Sequence, residues 1–345
     1  MEHKRVLKTG LMLGFILFFV IMMAQAIIGS YTLTPKSTAE DLRALPLWQI
    51  PLVYIWDYAQ HGWLCLGFAF TVSGLFAEFI PQRFMLRYMS SGKPISYLIA
   101  ILLSPLFCVC SCTMVPIYAG LLYAGAGIGP ALTFLYVAPA NNLLADIVTI
   151  QVLGWQIAVA DMMAAGVGAV LIGYVVSKTP WGKAFEQRYR KNPGNPGQVA
   201  AVELVKQPVD ERLWSALKFG GHIAKQILPA FLVGLVIVSY FQAFFPEEYV
   251  EAYLTGPLGV VLAALLSGPL YTPTLIEVVL GKALVNLGMS PGATIAWLLG
   301  QPYDVPNSLS NYRIVGWKIV LVYDLLAFAV AVTSGLIYGL LIAGL

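Results

Sequence analysis

Three cysteines stand at alternate positions in an apolar run: Cys108-Val-Cys110-Ser-Cys112. Thiolates select soft, thiophilic species such as copper(I) or trivalent arsenic, and three together suit a trigonal arsenic. Residues at i, i+2 and i+4 do not all share one face of an α-helix. They converge on a ligand only where the backbone is unwound, which the flanking Pro105 and Pro116 permit. The competing reading is that membrane cysteines are small apolar fillers. Cys65, alone in another apolar run, reads that way.

Other polar groups are embedded in equally apolar sequence. Leu270–Glu277 carries the hydroxyls of Thr272 and Thr274 and the carboxyl group of Glu277. A charged carboxylate in a membrane segment is costly, so Glu277 is neutral, pairs with Lys282, or takes up protons. The i to i+5 spacing to Lys282 is poor for a helical ion pair. Pro139-Ala-Asn141-Asn142 and Pro302-Tyr-Asp304-Val-Pro306-Asn307 place polar side chains where proline frees the backbone. The amides can bind a polar solute or hold helices together. Asp146, Asp161 and Asp324 lie in or at the end of apolar segments. The expected substrate-binding set is Cys108, Cys110, Cys112, Pro116, Asn141, Asn142, Thr272, Thr274, Asp304 and Asn307. Glu277, Asp161 and Asp324 are the expected proton carriers.

The elements that must hold these groups are membrane helices. Of 345 residues 59% are hydrophobic and 11% charged, with a mean hydropathy of +0.78. Soluble domains carry about 25% charged residues. The small net charge of +3 carries no nucleic-acid signal. Four cysteines are too few for a disulfide scaffold. The three histidines show no metal-ligand spacing, and no Walker A sequence occurs. No resident metal or cofactor is expected; the expected partners are a small-molecule or ion substrate and the lipid bilayer.

Apolar runs long enough to span a bilayer divide the chain into a first helix at 11–28 with an extracytoplasmic loop (1–61), a transmembrane segment (62–176), a hydrophilic linker (177–220) and a second transmembrane segment (221–345). The two transmembrane segments repeat with a period of about 162 residues. Phe79–Pro105 parallels Phe244–Pro269, and Gly127–Pro139 parallels Gly288–Pro302. Charge relates the repeats. Arg83, Arg87 and Lys93 follow the first repeat helix, whereas Glu247, Glu248 and Glu251 follow its counterpart. Under the positive-inside rule the equivalent loops face opposite sides, which predicts inverted repeats. The three apolar segments between the basic loop at 83–93 and the basic linker cannot all cross, so 94–123 is read as a re-entrant hairpin. The expectation is an all-α polytopic protein of the inner membrane. Its N-terminus is cytoplasmic, and two inverted repeats, each with a broken or re-entrant hairpin, follow an extra N-terminal helix.

Cys110-Ser-Cys112, Pro116, Gly125-Ala-Gly127, the apolar stretch 131–137 and Pro139-Ala-Asn141 together resemble the ArsP-type family of predicted permeases, over most of 62–345. The resemblance implies a polytopic inner-membrane permease; some members export trivalent organoarsenicals. The second half departs from the cysteine pattern, with Tyr271-Thr-Pro-Thr-Leu-Ile-Glu277 in its place. The function expected is a secondary transporter, not an enzyme, exporting a small thiophilic or anionic solute with proton coupling. The alternative is a membrane thiol-redox protein passing electrons through the cysteines. The absence of a Cys-x-x-Cys argues against it.

Overall fold

The computed structural model describes residues 10, 13–14, 17, 45–79, 88–107, 111–141, 143–191, 209–244, 253–269, 274–286 and 288–343, and among them every regular element is helical. The predicted first span at 11–28 falls almost wholly outside these residues.

Among the described residues, the helices that precede the linker include α1 (Ile50–Phe79), α2 (Pro94–Phe107), α3 (Ser111–Tyr123), α4 (Ile128–Ala140), α5 (Leu143–Val152) and α6 (Trp155–Lys178). The linker contributes α7 (Pro180–Lys191). After it come α8 (Val209–Phe244), α9 (Gly256–Ser267), α10 (Thr274–Asn286), α11 (Pro291–Leu298), α12 (Val305–Val315) and α13 (Trp317–Tyr338), with a 3₁₀ turn at Gln301–Tyr303 before α12. Among the described residues three helices are long and apolar enough to cross a bilayer: Trp155–Lys178, Glu211–Tyr240 and Trp317–Ile342. Ile128–Ala140 and Ala145–Val152 pass the same test as a pair bent by 42°. Val159, Met163, Val167 and Leu171 recur every four residues along α6, all exposed. Such a stripe of large apolar side chains belongs against lipid.

Small residues set the closest helix crossings. A Cβ at Gly74 of α1 would lie 2.0 Å from the Ala216 carbonyl oxygen of α8, and one at Gly220 of α8 would lie 2.4 Å from that of Phe70. Glycines at both positions let two long helices touch backbone to backbone. Arg212 then joins the end of α1 to the start of α8. Its guanidinium lies 3.6 Å from the Glu78 carboxylate, donates to the Glu78 carbonyl at 2.9 Å and stacks on Phe79.

The apolar segment 94–123 turns back on itself. The Gly127 amide donates to the Met89 carbonyl at 2.6 Å, so the start of α2 and the end of α3 lie together. Pro105 lies inside α2 and Pro116 inside α3; residues 108–110, between the two helices, are outside the described residues. The pair α9–α10 is built alike, with the Ser290 amide donating to the Leu254 carbonyl at 3.1 Å.

The two hairpins open at opposite ends of α6. At the Lys178 end, Ser91 beside the first hairpin hydrogen-bonds Glu186 of α7. At the Gly154 end, Leu153–Gln156 share a shallow cleft with Pro291, Tyr338 and Ile342. Helix α13 runs antiparallel to α6. Lys318 near its start lies over the Trp181 ring of α7, and its end reaches that cleft.

Local geometry recurs at a spacing of 162–163 residues. Gly125 and Gly288 have φ of 99° and 105°, and Gly154 and Gly316 have φ of 100° and 86°. A Cβ at Gly173 would lie 2.5 Å from the Gly129 carbonyl oxygen; one at Gly335 would lie 2.6 Å from that of Gly292. The α4–α6 and α11–α13 crossings are therefore made the same way. Between them the core is aromatic: Tyr118, Phe134, Tyr136, Trp297 and Tyr323 are fully buried.

Candidate functional site: a buried chain of carboxyl groups

The polar residues of the apolar core converge. Asp161 lies on the seventh position of α6, Glu277 in the first turn of α10, and Asp304 immediately before α12. All three are buried. Glu277 is close enough to interact electrostatically with both Asp161 and Asp304, and Asp304 with Asp324. Asp146 of α5 stands within the same reach of Asp161. The carboxyl groups form a sequence through the core: Asp146, Asp161, Glu277, Asp304, Asp324. Because α6 and α13 are antiparallel, Asp161 and Asp324 lie about 10 Å in from opposite ends of the bundle at 1.5 Å per residue.

Local structure fixes each group. The Gln301 side chain hydrogen-bonds the Glu277 carboxyl group, and the Trp297 indole N–H donates to the Glu277 carbonyl at 3.4 Å. Asp304 is the N-cap of α12. Its Oδ1 accepts from the Asn307 amide at 2.7 Å, and its other oxygen from the Asn307 side-chain Nδ2. Proline at the start of α12 pre-sets that turn. Asp324 accepts from Ser308 Oγ at 2.9 Å. Asn141 ends α4, and its Nδ2 donates to the Met162 carbonyl at 3.2 Å, which puts it one residue along α6 from Asp161.

The environment holds unmatched polar atoms. Asp161 Oδ1, Asn141 Oδ1, Asn307 Oδ1, both amide atoms of Asn311 and the Tyr136 hydroxyl are buried without a hydrogen-bond partner among the described residues. Buried groups of this kind normally find a partner, which marks these residues as the candidate site. None of the four acids Asp161, Glu277, Asp304 and Asp324 has a lysine, arginine or histidine within ion-pair distance among the described residues; Glu277 does not pair with Lys282. No group of three or more His, Cys, Asp or Glu side chains among the described residues is arranged to hold a metal ion.

Glu277, Asp161, Asp304, Asp324, Asn141 and Asn307 thus share one core, and Pro116 is buried within α3. Cys108, Cys110, Asn142 and Thr272 lie outside the described residues. Cys112 and Thr274 stand at equivalent places in the first turns of α3 and α10. Gln301, Asn311, Tyr136 and Tyr323 were not among the predicted site residues. Tyr323 packs edge-on against Tyr136 at 6.4 Å and donates to the Pro302 carbonyl at 3.1 Å. The available signal was the spacing of Asn307 and Asn311, one helical turn apart on α12.

The sequence profile of the ArsP-type family, described as a predicted permease, matches residues 53–340. The chain belongs to this family of predicted permeases. The match covers every helix from α1 to α13 almost in full and contains all five carboxyl groups. Among similar proteins, the UPF0718 protein MJ0584 of Methanocaldococcus jannaschii is 27% identical over 337 residues, covering 81% of this chain and 92% of its own. The UPF0718 protein YraQ of Escherichia coli strain K12 is 24% identical over 277 residues, covering 77% of this chain and 74% of its own. No solved structure matches the chain. Permease family membership and the apolar spanning helices make this an integral membrane protein.

Proposed function

We propose that the chain is a proton-coupled secondary transporter of the inner membrane that exports a small, neutral, thiophilic solute resembling a trivalent organoarsenical. The observation that carries the reading is the run of buried carboxyl groups Asp161, Glu277, Asp304 and Asp324, lying between two broken hairpins and without basic partners among the described residues. Intramembrane acids of this kind serve as proton relays. With no basic side chain paired to these acids among the described residues, the core offers an anion no counter-charge, so a neutral solute suits it better than the anionic alternative. Trivalent arsenicals are neutral hydroxides near pH 7 and exchange those hydroxides for thiolates.

In this reading Cys108, Cys110 and Cys112 supply soft ligands at the tip of the first hairpin. Thr272, Thr274, Asn141, Asn142 and Asn307 supply polar contacts, with Pro116 shaping the tip. Each arsenic–sulfur bond formed releases a hydroxide that a thiol proton converts to water. Hydrolysis of that bond by water restores the thiol and the arsenic hydroxyl with no net proton change, so in this reading the coupling protons are those carried by Asp161, Glu277 and Asp324. The recurring glycine geometry and the opposite openings of the hairpins support two inverted repeats (62–176 and 221–345) joined by a cytoplasmic linker (177–220). The basic residues at the Lys178 end support assigning it to the cytoplasm. A helix before residue 53 then starts in the cytoplasm and crosses once.

The test is uptake of a trivalent methylarsenical into everted membrane vesicles under an imposed proton gradient. The wild type should accumulate it. Cys110→Ser with Cys112→Ser should reduce accumulation at least tenfold, and Glu277→Gln should abolish the response to the gradient. Full activity in the double cysteine variant would reduce those cysteines to packing.

A further inference from the structure

Helix α7 lies outside the hairpin core. Its sequence, Pro-Trp-Gly-Lys-Ala-Phe-Glu-Gln-Arg-Tyr-Arg-Lys, carries four basic residues and one acid. That acid is turned inward. Glu186 Oε1 accepts from the Ile128 amide at 2.9 Å and from Ser91 Oγ, and Ser91 Oγ itself accepts from the Gly129 amide at 3.0 Å. The start of α4 has no capping side chain of its own, since Gly127 occupies the N-cap. The equivalent helix α11 is capped by Ser290 instead, which accepts from Ala293. Glu186 therefore serves as a cap supplied from another helix, and its charge is spent on the positive end of α4. Thr179 caps the start of α7, accepting from Gly182 at 3.1 Å, and Gly182 sits so close that a Cβ would lie 2.2 Å from the Val176 carbonyl oxygen. Phe185 packs on the core. These contacts fix which side of α7 faces the protein.

What remains outward is basic and aromatic. Lys178 and Lys183 are exposed, and Trp181 is 42% exposed. Lys318 of α13, also exposed, lies 5.8 Å from the ring centres of both Trp181 and Trp317. Lys218 stands over the exposed Trp214 at 5.5 Å, and Lys178 over Tyr174 at 5.2 Å. Exposed indoles beside ammonium groups mark the headgroup level of a membrane protein. A run of four or more basic residues on an amphipathic helix next to a span selects anionic lipid.

We infer that α7, with Lys178 and Lys318, forms a binding shelf for the headgroups of anionic phospholipids, held rigidly against the first hairpin by Glu186. The occupant is chosen by charge: the exposed ammonium groups of Lys178, Lys183 and Lys318 share this side, and Glu186, the one acid in the α7 sequence, is turned inward. Because Glu186 caps α4, whose other end carries Asn141, lipid held on α7 also steadies the helix that leads to the acidic core.

The experiment uses the full chain in nanodiscs containing equal phosphatidylglycerol and phosphatidylcholine. Native mass spectrometry counts the lipids retained on ejection. The wild type should retain phosphatidylglycerol in clear excess. K183Q/R188Q/R190Q/K191Q should return the ratio to that of the bulk lipid, since each charge contributes about fivefold near an anionic surface. Hydrogen exchange over 180–191 in the wild type is the second measurement and needs no variant. Exchange should be slower in phosphatidylglycerol than in phosphatidylcholine, with the difference removed by 0.5 M salt and left intact by millimolar inorganic phosphate. Equal lipid retention, exchange indifferent to lipid charge, or complete competition by inorganic phosphate would each overturn the proposal.

Discussion

Asp161 and Glu277 are the residues at which stability and function should separate. A carboxyl group at the centre of a membrane helix costs about 2.5–3.5 kcal/mol relative to an apolar residue, and neither acid has a basic partner among the described residues. Replacing either by its amide removes the charge at nearly constant volume. Asp161→Asn and Glu277→Gln should leave the thermal unfolding midpoint in detergent unchanged or higher while removing gradient-driven transport. A lowered midpoint would mark a structural role. Asp304 should behave differently because it caps α12. Asp304→Ala should destabilise by about 0.5–2 kcal/mol, the usual worth of an N-cap. Asp304→Asn should keep the cap and the midpoint, yet lose proton coupling.

These acids were individually conspicuous in the sequence because each interrupts an apolar run. Their order through the core was not legible, since it depends on how helices distant in sequence cross. Gln301, Asn311 and Tyr136 gave still less signal: neutral polar and aromatic side chains are common in membrane helices as packing and glue. The cysteine cluster posed the opposite difficulty. Its chemistry is loud in the sequence, whereas Cys108 and Cys110 lie outside the described residues and Cys112 falls in the first turn of α3.

At the scale of elements, glycine decides the geometry. Gly154 and Gly316 precede α6 and α13 with φ, ψ of 100°, 154° and 86°, 158°, a region open essentially to glycine alone. Alanine at either position should cost about 1–3 kcal/mol, read as a fall in the unfolding midpoint. Gly173 tests packing instead of strain. A Cβ there would sit 2.3 Å from Thr133 Oγ1 and 2.5 Å from the Gly129 carbonyl oxygen, so Gly173→Leu must force α4 and α6 apart. Overpacking of this kind costs about 1–3 kcal/mol, and the same change at Gly335 should have a similar effect. In the sequence, Gly-Trp dipeptides at 154–155 and 316–317 mark the starts of α6 and α13. The prolines were a poorer guide. Pro105 and Pro116 drew attention to the right region, but both are absorbed into helices.

At the scale of the whole molecule, the arrangement has an evident use. The two hairpins open at opposite ends of α6, with the buried carboxyl groups between them, an arrangement that suits a permease whose core is reached from one side at a time. The loop charges predict that equivalent loops face opposite sides of the membrane, which sided labelling tests.

The most direct measurement is the sidedness of the two hairpin mouths. Lys93→Cys stands at the first mouth and Thr255→Cys at the second, both exposed, and each can be labelled with a membrane-impermeant maleimide in right-side-out and everted vesicles. Lys93→Cys should label only in everted vesicles, together with Lys183→Cys on α7, and Thr255→Cys only in right-side-out vesicles, together with Gln156→Cys. Labelling of Lys93→Cys and Thr255→Cys from the same side would contradict the opposed hairpins, and with them the carboxyl path between the two faces.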